Sequence, residues 1–166
     1  YVRRNNDELV ATFGNLVHRV LTQVFRNFDE AIPEPGDLRA VDIELIAKAD
    51  ASLDAVATSL KAVRLREALN GAMGLAREAN RYIDTQAPWK QVKENKDEAA
   101  KTLYTTLYVL SALKTTFYPF LPFSSQRLHE LLGFAGDVID CPWAVQRLVP
   151  GTKIPQPTPL FTKLND

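Results

Sequence analysis

The chain has 166 residues, 46% hydrophobic and 24% charged, which suits one globular domain with a core and excludes a disordered tail. Twenty basic residues cancel twenty acidic ones, so no bulk charge favours nucleic acid or an anionic membrane, and any polyanion site must be local. The single cysteine, Cys141, can make neither an internal disulfide nor a zinc site, which fits a reducing compartment and argues against metal catalysis.

The opening residues, Tyr1-Val2-Arg3-Arg4-Asn5-Asn6-Asp7-Glu8, have no apolar core after their two arginines, so they are no secretory signal and read as a cut inside a longer protein. From Asp7 to Phe28, Leu9, Phe13, Leu16, Val20 and Val24 recur at helical spacing, with Asn5, Asn6 or Asp7 available as N-cap. Two prolines and a glycine make residues 31–37 a loop. A second helix is expected from Leu38 to about Val63, with Val41, Leu45, Leu53, Val56 and Leu60 on one face and a kink near Asp50. A third runs from about Arg64 to Gln86 on the stripe Leu65, Leu69, Ala72, Ala76, Ala79 and Ile83, and ends at Pro88. Gly71 and Gly74 inside it each cost about 1 kcal/mol against Ala, which close approach of a neighbouring helix would offset.

Asn95 or Asp97 can cap a fourth helix through Leu103, Leu107, Leu110 and Leu113 to Pro119. The stretch from Leu103 to Phe123 is the most apolar, but Lys114, four threonines and two prolines make it a core helix and not a membrane span. A fifth helix starts at Ser124 or Ser125 and stops at Gly133. Half of the ten prolines fall between Pro142 and Pro159, so residues 137–166 form an extended tail. Its Trp143, Leu148, Ile154, Leu160 and Phe161 are too many for a solvated linker and should lie along the bundle of residues 1–136. The expected fold is all-α: an antiparallel bundle of about five helices with a packed proline-rich tail.

No phosphate loop, nucleophile elbow or metal-spaced histidine motif occurs. His18 and His129 read as helix-surface residues, and neither catalytic residues nor a metal site is expected. On the first helix, at roughly 100° per residue, Ala11, Asn15, Arg19, Thr22 and Arg26 form a stripe opposite Phe13 and Val20. It is either a solvated face or a surface whose amide and guanidinium reach base edges or phosphate. A second feature is Ala79-Asn80-Arg81-Tyr82, followed by Ala87-Pro88-Trp89-Lys90 at a helix end. There Trp89 is either a packing residue or a platform on which single-stranded bases stack. Residues 31–60 hold two basic and six acidic residues, while residues 61–96 hold eight basic and four acidic, so Trp89 lies in the locally positive part.

Asn15-Leu16-Val17-His18-Arg19 in a first helix, with Ala79-Asn80-Arg81-Tyr82 and Ala87-Pro88-Trp89-Lys90, resembles the anticodon-binding domain of the methionyl-tRNA synthetases. Gly151-Thr152-Lys153-Ile154 and Pro157-Thr158-Pro159-Leu160-Phe161 are similar to that family's closing segment, so the resemblance spans nearly the whole chain. It implies a class I synthetase whose catalytic domain, using ATP with Mg, lies N-terminal to Tyr1, and a helical domain that needs no cofactor. It also implies that Asn15, Arg19 and Trp89 read the CAU anticodon of tRNA(Met), with Pro88 setting the tryptophan and Asn80, Arg81 and Lys90 in support. Where some members carry a further asparagine one turn before Asn15, this chain has Ala11. A cytoplasmic location is implied, with an organellar one as the alternative, and no membrane partner. The rival readings are the anticodon module of another class I synthetase and a helical protein-interaction module.

Overall fold

The computed structural model describes residues 8–161. The chain enters through a π-helical turn, Leu9–Gly14, and continues into α1, Asn15–Asn27. The N-cap candidates Asn5, Asn6 and Asp7 lie outside the described residues. The helices α2 (Ala40–Lys61) and α3 (Leu65–Gln86) follow, then a short α4 (Pro88–Glu94), a long α5 (Lys96–Phe117) and α6 (Pro122–Leu131). Among the described residues only a single β-bridge, Ala31 to Lys153, interrupts the helical class.

Helix α5 is the axis of the bundle and packs against each of the other five helices. Leu103, Leu107, Leu110 and Leu113 are fully buried, as their spacing predicts, but so are Thr102, Thr105, Thr106 and Ser111. A buried hydroxyl needs a partner: Thr106 Oγ1 donates to the carbonyl of Thr102 at 2.8 Å, and Ser111 Oγ donates to that of Gln146 at 2.9 Å. Buried Leu16, Val20 and Val24 give α1 its core face, which Phe13 of the π-helical turn extends. In α2, Leu45, Leu53 and Val56 are buried while Val41 is exposed. That helix runs from Ala40 to Lys61 without a break at Asp50. Leu65, in the first turn of α3, is likewise exposed.

Pro88, expected only to stop a helix, also starts one, and the helix expected from Ser124 or Ser125 begins earlier, at Pro122. Pro88 and Pro122 each stand at the first position of a helix, where the missing N–H has no bond to lose and φ is already set. Helix α3 therefore ends at Gln86, and Ala87, in the left-handed conformation at φ 50°, is an elbow into α4. Asn95 caps α5, accepting from the Asp97 amide at 3.2 Å.

The two glycines of α3 differ. A Cβ on Gly71 would meet Val56 Cγ2 at 3.3 Å, so close approach of α2 accounts for that residue, whereas a Cβ on Gly74 meets nothing within 4 Å. Gly74→Ala should therefore stabilise the fold by about 0.5–1 kcal/mol. Gly14→Ala should lower the melting temperature, since its Cβ would sit 2.8 Å from the Phe161 ring. Thermal melts of the two variants check both signs.

The tail lies along the bundle. Leu148, Ile154 and Leu160 are buried, and Phe161 meets the Phe13 ring edge-on at 6.1 Å. Ile32 N donates to Thr152 O at 2.9 Å and Gly151 N to Ile32 O at 2.8 Å, pinning the tail to the α1–α2 loop. Gly133, beyond the end of α6, is left-handed at φ 88°, and a Cβ there would lie 2.9 Å from the Lys153 carbonyl, so both backbone and tail require glycine. Trp143 keeps 39% of its surface exposed, with its Nε1 donating to the Leu53 carbonyl at 2.9 Å.

His129 is not a surface residue. It is fully buried beside Lys114, only 1% exposed, because α6 and the tail close over this part of α5. His129 Nε2 lies 2.9 Å from the Ala135 carbonyl, which makes Nε2 the donor and leaves Nδ1 to accept from Lys114 Nζ at 3.0 Å. Lys114 also donates to Gln146 Oε1 at 2.7 Å and sits 4.4 Å from the Phe134 ring centre. Burial pushes the Lys114 ammonium down to about 8, with Cys141 acting weakly against it. Burial also lowers the His129 imidazole, against the pull of the Ala135 carbonyl.

A lysine depressed in the folded state holds fewer protons than the unfolded chain between about 8 and 10.5. Stability should rise with pH across that window, by up to about 3 kcal/mol, and be lost as the pH falls through about 8. In Lys114→Met this rise should vanish, as parallel denaturation series from pH 7 to 11 would reveal.

Candidate functional site

The stripe along the π-helical turn and α1 is exposed as its spacing predicts: Ala11 in the turn and Asn15, Arg19 and Arg26 on α1 face outward, and Thr22 is half-buried. Helix α1 packs against both α3 and α4, which brings the α3–α4 elbow to the side of this stripe. Pro88 is buried beneath the elbow and Trp89, the next residue, keeps 38% of its surface exposed. The local sequence dictates this arrangement. Proline fixes the first turn of α4 against the core, and the following residue, about 100° further round the helix, is left at the surface.

Arg19 and Trp89 are in contact. The guanidinium carbon of Arg19 lies 5.4 Å from the centre of the indole, a cation–π arrangement. Arg19 Nη2 also donates to Asp84 Oδ1 at 3.2 Å, in the last turn of α3. Both members of this ion pair are well exposed, so it contributes little stability. It does orient the arginine, holding the guanidinium between a carboxylate and an indole.

A cavity of about 190 Å³ opens at this point, lined by His18, Arg19, Thr22, Gln23, Pro88 and Trp89 with Ile83 and Leu103 at its floor. Drug-sized ligands occupy clefts of about 300 Å³ or more, so this one is scaled to a single flat ring. Beyond Asp84 lies a wider groove of about 620 Å³, lined by Ala11, Thr12, Arg77, Asn80, Arg81 and Thr85. Arg77 pairs with Glu8, and Arg81 with Glu78 at 2.9 Å. The Arg19–Asp84 pair therefore separates a small apolar-floored pocket from a wider, polar groove.

Of the residues singled out in the sequence, Arg19, Pro88 and Trp89 line the small cavity together. Asn15 stands exposed one turn before Arg19 on the same face but lines neither cavity. Lys90 is exposed next to Trp89, and Arg81 forms part of the groove wall. Asn80 is tied down: its Nδ2 donates to the Thr12 carbonyl at 2.8 Å and to the Ala76 carbonyl at 3.2 Å. Thr12 belongs to the π-helical turn, so this hydrogen bond ties that turn to α3. Asn80 thus fixes the start of α1 against α3.

Asp84 is the participant that periodicity does not reveal. A lone carboxylate near a helix end looks like any solvated charge until Arg19, 65 residues away, is brought to it.

Known proteins place the chain in a class. The helical domain of Mycobacterium tuberculosis methionyl-tRNA synthetase, solved in complex with methionyl-adenylate, matches with a TM-score of 0.90 and 31% identity over 98% of this chain and 33% of that one. Methionine–tRNA ligases of Dehalococcoides mccartyi and Roseiflexus castenholzii are 49% and 42% identical over the full chain, which spans 30% and 32% of their lengths. The fold is thus that of a tRNA ligase's helical domain. The family described as the anticodon binding domain of methionyl tRNA ligase matches residues 32–166, and the chain belongs to it.

Proposed function

We propose that this chain binds the CAU anticodon loop of tRNA(Met) through Asn15, Arg19 and Trp89. It would act as the reading domain of a methionine–tRNA ligase whose catalytic domain, elsewhere in the same polypeptide, uses ATP with Mg. The observation that carries this reading is Arg19, held between Asp84 and the half-exposed Trp89 at the mouth of a ring-sized cavity. An extruded pyrimidine stacks on an indole face, and its pairing edge meets donors and acceptors placed beside it. Cytosine presents a carbonyl acceptor and an exocyclic amine donor. Arg19 can donate to the first, and the Asn15 amide, one helical turn away, can accept from the second.

The apolar floor of Ile83 and Leu103 excludes water from beneath the base. A base with the wrong edge then leaves buried polar groups unpaired, which is the costly outcome and the source of discrimination. No catalytic residue is assigned to this chain, whose role is to bind and orient.

Tryptophan fluorescence tests the reading. In a Trp143→Phe background only Trp89 emits, and a CAU stem-loop should quench it saturably. Equal quenching by stem-loops of unrelated anticodons at one fixed salt concentration would refute base reading.

A further inference from the structure

Behind Trp89 lies a buried charge that the anticodon pocket does not touch. Asp42, in the first turn of α2, is 0% exposed. Its carboxylate accepts from the Arg39 side chain, Nε at 3.0 Å and Nη2 at 2.9 Å, from the Arg39 backbone amide at 2.9 Å, and from the Tyr82 hydroxyl. Burial alone would raise the Asp42 pKa, but the hydrogen bonds from Arg39 and Tyr82 hold it below the usual carboxylate range. Taking a carboxylate out of water is expensive unless it is fully partnered, and capping α2 would require only an exposed one.

Arg39 also pairs through Nη1 with Glu98 at 3.1 Å and donates from Nη2 to the Tyr82 hydroxyl at 3.4 Å, and two further hydrogen bonds lead toward the tryptophan. Nη1 donates to Gln86 Oε1 at 2.9 Å and Nη2 to Thr102 Oγ1 at 2.9 Å. The same two atoms hold Gln91 of α4: Gln91 Nε2 donates to Gln86 Oε1 at 3.2 Å, and Gln91 Oε1 accepts from the Thr102 hydroxyl at 2.7 Å. Every donor and acceptor in this chain has one consistent direction, which fixes which way the Gln91 amide faces. Helix α4 has seven residues and only Pro88 is buried. A helix that short does not hold its own orientation.

We propose that the Arg39–Asp42 ion pair, acting through Gln86 and Thr102 on Gln91, is a positioning device that sets the angle at which α4 presents Trp89 to the RNA. The proposal rests on the anticodon-reading function for its purpose. Arg39, Asp42 and Gln91 are positioning residues, since none of them lines the cavity beside the indole.

The test uses the full chain with 5-fluorotryptophan, the Trp89 resonance being assigned with Trp89→Phe. Gln91→Leu cuts the tether and leaves the buried ion pair intact, so folding is preserved. The Trp89 fluorine line should shift or broaden without RNA, and affinity for a CAU stem-loop should fall about five- to tenfold. In a Trp89→Ala background the same change should cost nothing further. An unchanged Trp89 line in Gln91→Leu, or an affinity loss of the same size in the Trp89→Ala background, overturns the positioning role. Failure of Trp89→Ala itself to weaken binding would instead refute the anticodon reading, and the fluorine line would still decide the positioning.

Discussion

Trp89→Ala and Arg19→Ala should each weaken binding of a CAU stem-loop by about 1–3 kcal/mol, while the bundle melts almost where it did. Base stacking on an aromatic side chain carries about 1–3 kcal/mol, and hydrogen bonds to a charged group about 1.5–3 kcal/mol. Neither change should unfold the protein. Trp89 is 38% exposed on a short helix, and the Arg19–Asp84 pair is exposed on both sides, where ion pairs are worth about 0–1 kcal/mol. Binding titrations at fixed salt, with melting curves of the same preparations, check both halves of the expectation. A melting temperature that falls in step with affinity would make Trp89 a packing residue.

The largest loss of stability should come from the tail. Leu148→Ala should cost about 2–5 kcal/mol, the range for a fully buried leucine whose cavity cannot collapse, since Leu148 is 1% exposed. Deleting the chain from Cys141 onward should cost at least as much. Besides Leu148, Ile154 and Leu160, it removes Gln146, which partners the buried Lys114 and exchanges hydrogen bonds with Ser111 in both directions. The backbone pairing with Ile32 goes too. Chemical denaturation of the truncated chain measures this, and an unchanged midpoint would make residues 141–161 a linker.

How much of this was legible in the sequence depended on distance along the chain. The helices α1, α2, α3 and α5 follow from apolar spacing, and the Asn95 and Gly133 boundaries from residues that act on their immediate neighbours. Helix α4 escaped because Pro88 reads equally well as the end of one helix and the beginning of the next. Periodicity could not reveal the burial of Lys114 and His129, since two basic residues on two helices look solvated until a third segment covers them.

The site was half legible. Arg19 and Trp89 stood out as residue types suited to bases, and the family resemblance joined them. The pairing of Arg19 with Asp84 and the network behind Trp89 depend on partners 65, 47 and 63 residues apart. No local pattern encodes such pairs. Asn80 was legible as part of a motif but not in its task, because the carbonyl it holds belongs to a π-helical turn.

The most direct measurement is a two-by-two titration of wild type and Arg19→Ala against stem-loops carrying CAU and the same loop with its first anticodon base replaced. If Arg19 reads that base, replacing it already removes what the arginine contributes, so the two changes together should cost clearly less than the sum of their separate costs. Fully additive losses, or equal affinity of the wild type for both loops, would contradict the account.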